Sequence, residues 1–155
     1  MNAEYIKSFI ESAQSVIKML LDIEAEPGDM YEKVSTFPVE QIIVMIGVTG
    51  RIKGQVCFEL SEEIAKKIAS SMMGGMPITE LDYISMSAVS EMGNMIMGNA
   101  SMILANKAIH IDITPPSLLT GENIEMLGKV PTIIAPLKLQ GLGIINLNIT
   151  VEEVI

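Results

Sequence analysis

At 155 residues, 49% hydrophobic and 19% charged, the chain has the length and composition of one folded domain, residues 1–155, able to bury about 70% of its unfolded surface. Ten basic residues against 19 acidic ones give a net charge of −9, which argues against binding nucleic acid or anionic lipid. No stretch nears the ~20 apolar residues of a membrane span, the start MNAEYIKSFIES is unlike a signal peptide, and the one cysteine, Cys57, allows no internal disulfide. A cytoplasmic protein is expected.

Residues 4–24 predict a first helix, with Ile6, Phe9, Ile10, Ala13, Val16, Ile17, Leu20 and Leu21 at i, i+3, i+4 spacing. Strands follow near 31–37 and at 41–48, the latter almost entirely apolar as a central strand would be. Thr49-Gly50-Arg51 suits a hairpin turn, and Val56, Phe58 and Leu60 then alternate with Cys57 and Glu59. Ser61 caps a second helix, with Glu62 and Glu63 in its first turn and Gly74-Gly75 at its end. A long third helix is predicted from about Thr79 to Lys107, with Thr79 and Asp82 resembling a capping box. Beyond it, Ile109, Ile111 and Ile113 share one strand face until Pro115-Pro116 removes backbone donors. Strands at 130–139 and around Ile145, Leu147 and Ile149 complete the count, joined by a turn at Gln140-Gly141.

These elements repeat faintly. A shift of 80 residues lays Glu11 on Glu91 and Gln14 on Asn94, and a shift of 89 lays Gly54–Ser61 on Gly143–Thr150. The fold class expected is α+β: an antiparallel sheet of about six strands, long helices on one face, and a pseudo-twofold repeat of helix then strands. The other face reads as half-polar, which suits pairing of two copies through the sheet.

The third helix carries the least ordinary surface. At 100° per residue, Ser85, Met86, Val89, Gly93, Ile96, Met97, Ala100, Ile103 and Leu104 form a core stripe opposite Glu91. The outward sector holds Ser87, Ser90, Glu91, Asn94, Gly98 and Ser101, with Ile84, Ala88, Met95 and Met102 along one edge. A solvated helix face usually mixes acids and lysines. This one has a single acid, a neighbouring amide at i+3, small residues and a greasy rim, the composition of a surface cleared for a partner. Gly98 strengthens that reading, because an exposed mid-helix glycine costs about 1 kcal/mol against alanine.

Elsewhere the residues for chemistry are absent. There is no phosphate-binding glycine loop and no nucleophile elbow. His110 is the only histidine and supports neither a triad nor a metal site, while Cys57 has no basic neighbour to activate it. No cofactor and no metal of its own are expected.

The run Ser90-Glu-Met-Gly-Asn-Met-Ile-Met-Gly-Asn99, with Met72-Met-Gly-Gly-Met76 before it and His110-Ile-Asp-Ile-Thr-Pro-Pro116 after it, resembles the CheX group of the CheC/CheX/FliY family of chemotaxis phosphatases. The resemblance covers nearly the whole chain, including its duplicated helix and strands. It implies a phosphatase that removes the phosphoryl group from a CheY-type response regulator, with Glu91 and Asn94 as the catalytic pair. Asn94 would orient the attacking water and Glu91 would dock a lysine of the regulator; Mg2+ is expected on the regulator. Ser87, Ser90, Met95, Gly98, Ser101 and Met102 would form the partner surface. Members of the CheX group use only the second helix, which leaves Glu11 and Gln14 as a relic, and a homodimer is implied. A non-catalytic regulator-binding adaptor, or a flagellar-switch-like module, is the alternative use of the same face.

Overall fold

A computed structural model describes residues 3–38 and 40–154, with the backbone alone for residues 34–38, 128 and 129. The first half runs α1 (Ala3–Leu21), β1 (Ala25–Pro27), β2 (Tyr31–Pro38), β3 (Ile42–Gly50), β4 (Ile52–Leu60) and α2 (Glu62–Met72). The second runs α3 (Tyr83–Ala105), β5 (Ile111–Ile113), β6 (Ser117–Thr120), β7 (Glu125–Leu139) and β8 (Gly143–Glu153). Each half is therefore a long helix followed by four strands, with α2 between the halves.

Among the described residues the strands form one antiparallel sheet of eight, ordered β1-β7-β8-β4-β3-β5, with β2 also on β7 and β6 also on β3. Eight strands replace the expected six or so because β1 and β6, three and four residues long, are too short for alternation to betray. The two hairpins turn where expected: Gly50 at φ 107° and Gly141 at φ 78° take backbone angles that side chains disfavour. The repeat is real in register. Phe58 and Leu147, equivalent under the 89-residue shift, are paired directly across the β4–β8 junction.

One sheet face carries the core. Val44, Ile46 and Val48 of β3, Val56, Phe58 and Leu60 of β4, and Ile145, Leu147 and Ile149 of β8 point into one apolar cluster with the inner stripes of the three helices. Each such side chain contributes about 1.5–3 kcal/mol on burial. The helices are tied to one another by polar bonds as well. The buried Ser12 hydroxyl of α1 donates to the Ile96 carbonyl of α3, and Lys107 pairs with Glu4 at 2.8 Å.

The opposite face is half-polar, as alternation predicts, with Thr49, Lys53, Ile144 and Glu152 exposed and Gln55, Asn146 and Thr150 half-buried, but part of it is covered. Ile43, Cys57, Glu59, Ile134 and Asn148 on that side are all buried. The cover comes from the chain itself. Residues 125–128 of β7 pair with β2 at residues 35–38, beyond the point where β7 leaves β8 at Ile133. This two-stranded ribbon brings the Met126 sulfur to 3.8 Å from the Asn148 amide, and beyond it the Glu40 N–H donates to the Glu59 carboxylate at 3.0 Å. The face is thus covered near Asn148 and Glu59 and open around Lys53, Ile144 and Glu152.

Candidate functional site

The long helix starts one turn later than its sequence suggests. Asp82, not Thr79, is the N-cap: its carboxylate accepts from the Ser85 N–H at 2.8 Å, and the Ser85 hydroxyl accepts from the Asp82 N–H at 2.7 Å. The Ser85 N–H, and the Ser85 hydroxyl donating to the same oxygen at 2.8 Å, hold the Asp82 carboxyl below its usual range. The core stripe is as expected at Ser85, Val89, Gly93, Ile96, Met97, Ala100 and Leu104. It departs at its borders: Met86 and Ile103 are only half-buried, and Met92 is fully buried.

Glu91 and Asn94 lie on the outer side, Glu91 exposed and Asn94 half-buried. Among the described residues, no group bonds to the side chain of either one. Ser87 is exposed, Ser90, Gly98 and Ser101 are half-buried, and Met102 stands 67% exposed beside them. Met95 is a correction. It packs against the core cluster with Ala88, on a helix that both α1 and α2 contact. The greasy rim is therefore Ile84 and Met102, with Met95 mostly structural.

The matching pair on α1 is engaged. The Gln14 amide donates to the Ala25 carbonyl at 2.9 Å, and Glu11 faces Lys7 at 3.9 Å. An amide bound to backbone is not free to hold a water. Elsewhere, Cys57 lies on β4 with its thiol pushed up to about 12, chiefly by burial and then by the charge of Glu59. It is a packing residue. Among the described residues, no three His, Cys, Asp or Glu side chains converge as a metal site requires, and no helix is long and apolar enough to cross a membrane.

The structure adds a feature the sequence did not reveal. Beside Ser87 and Ser90, the first turns of α3 and strand β6 enclose a groove of about 280 Å³, lined also by Tyr83, Met86, Leu118 and Thr120. Tyr83, on the first turn of α3, is 82% exposed beside it.

The family described as chemotaxis phosphatase CheX matches residues 42–138, a span that takes in the Glu91 and Asn94 face and most of the sheet. The chain belongs to the CheX family. Over 127 residues, 81% of each chain, it is 35% identical to the CheY-P phosphatase CheX of Thermotoga maritima. Among solved structures, a CheC-like superfamily protein from Shewanella sp. PV-4 superposes with a TM-score of 0.86 at 25% identity, covering 98% of this chain and 99% of that one. The Borrelia burgdorferi CheX in a complex with CheY, BeF3 and Mg2+ superposes at 0.78 with 30% identity, over 96% and 98% of the two chains. In this CheX-family chain, the fold expected from the repeat is the fold found.

Proposed function

We propose that the protein hydrolyses the aspartyl phosphate of a CheY-type response regulator, with Asn94 orienting the attacking water and Glu91 docking against a lysine of the regulator. The carrying observation is an acid and an amide three residues apart on the outer face of α3, neither side chain bonded by any group among the described residues. The relatives agree with it: one is named for CheY-P dephosphorylation, another was solved bound to CheY with Mg2+. The metal in this reading belongs to the regulator. The Asn94 carboxamide oxygen accepts a hydrogen bond from the water and adds no negative charge beside the phosphoryl oxygens, and the water's protons leave on the phosphate. The water oxygen bonds to phosphorus, the bond to the aspartate oxygen breaks, and the regulator recovers its carboxylate as inorganic phosphate leaves. Ser87, Ser90, Gly98, Ser101 and Met102 form the bed on which the regulator rests, and the setting is cytoplasmic.

Phosphate release from a phosphorylated CheY-type regulator tests this. Asn94→Ala should lower turnover by about a hundredfold or more while binding persists. Glu91→Ala should weaken docking by about tenfold. Wild-type turnover in Asn94→Ala rejects the assignment, and regulator binding without faster release in the wild type points to the adaptor instead.

We also propose that two copies pair through the outer edge of β2, which meets no strand among the described residues, and the ribbon it forms with β7, where Leu127 is 75% exposed. An unpaired strand edge beside a bare leucine is a ready pairing surface. Sedimentation should find a two-chain species that Leu127→Glu shifts to single chains.

A further inference from the structure

The groove between α3 and β6 opens onto the same flank of α3 as Asn94. At 100° per residue, Tyr83, Ser87, Ser90 and Asn94 fall within about 60° of one another, and Ser87 lies only about 10 Å along the axis from Asn94. A standard interface of about 800 Å² per partner spans roughly 30 Å. A regulator seated with its phosphoryl group over Asn94 therefore covers the groove.

The walls define what would fill it. Leu118 packs on the core from β6, Met86 forms the floor and Tyr83 stands free at the rim. The lining is more apolar than polar. Beyond Met86 and Thr120, which it shares, a second recess of about 350 Å³ carries Glu62, Glu80 and Glu122. Glu62 is paired with Lys66 at 3.2 Å. Among the described residues Glu80 and Glu122 have no such partner, and no lysine or arginine lines either recess.

We propose that this groove is a second contact point for the docked regulator and sets which regulator is accepted. An apolar side chain of the regulator seats between Tyr83 and Leu118, and a lysine or arginine next to it meets Glu80 and Glu122. The proposal rests on the reading of Glu91 and Asn94 given above. A second copy of this chain is the poorer occupant, because a net charge of −9 sets acid against acid there.

The test uses a CheY-type regulator in two forms, phosphorylated for turnover and charged with BeF3 and Mg2+ for affinity. Tyr83→Ala should raise KM and weaken affinity by about fivefold while turnover at saturation is kept, the mark of lost uniform binding. Glu80→Gln with Glu122→Gln should slow association at low salt, a difference that closes at high salt. Unchanged KM and affinity in Tyr83→Ala, or a change of oligomeric state in their place, overturns the groove. Asn94→Ala run alongside separates the two failures: if it is inactive while Tyr83→Ala matches wild type, the groove alone is wrong. If Asn94→Ala turns over normally, the site reading falls and the groove proposal with it.

Discussion

Gly93 and Gly98 sit five residues apart on α3 and answer opposite demands. A methyl group at Gly93 would lie 2.7 Å from Cγ1 of Val44, a fully buried, β-branched side chain on β3 with little room to yield. Glycine there is what lets α3 lie on the sheet. A methyl at Gly98 would meet nothing within 4 Å, so folding gains nothing from that glycine. Gly93→Ala should destabilise by about 1–3 kcal/mol through overpacking, outweighing its better helix propensity. Gly98→Ala should stabilise by about 1 kcal/mol and raise KM for the regulator, since the added methyl enters the partner's space. Denaturant midpoints for both variants, with KM for the second, check this; a Gly98→Ala protein that is more stable and equally active would show that no partner approaches there.

At the scale of elements, the sequence was readable where one periodicity acts alone. The core faces of β3, β4 and β8 follow simple alternation, and Ser61 caps α2 as its side chain predicts. Reading failed where two local solutions compete. Thr79/Asp82 and Asp82/Ser85 are both short polar pairs at i, i+3, and the second is the box used, while Ile78 and Leu81 pack on the core from a non-helical entry. Local propensity cannot choose between them; tertiary packing does. For the same reason Met95 was misplaced: the helical angle of a residue is fixed by its own helix, but its burial depends on what the rest of the fold packs beside it. Glu91 and Asn94 were legible because a free surface is read from composition and angle alone. The groove was not, because its far wall, Leu118 and Thr120, comes from β6, whose pairing with β3 has no local signal.

At the scale of the whole molecule, the sheet has helices on one side and the β2–β7 ribbon on the other. Just beyond the ribbon, the segment that leads into β3 is tied down by a buried carboxylate. Glu59 is 5% exposed, accepts the Glu40 N–H, and lies by Asn148, whose side-chain oxygen is buried with no partner among the described residues. Burial raises the Glu59 pKa most, and the charge of Glu40 adds to that; the Glu40 N–H and the Asn148 amide oppose without cancelling it. The sign follows by linkage. A carboxyl whose pKa is higher folded than unfolded keeps its proton longer in the folded state, so the native protein binds more protons between the two values. Stability from this group is present below the unfolded value of about 4.3, falls as pH rises toward the folded value, and stays lost above it. Glu59→Gln keeps an acceptor for the Glu40 N–H and removes the charge. It should be more stable than wild type at neutral pH, with the advantage shrinking as pH falls toward about 4. Urea unfolding across that range measures it. A difference that does not vary with pH would mean that Glu59 is ionised in its buried site at no cost, and that the tie to Glu40 owes nothing to a protonated Glu59.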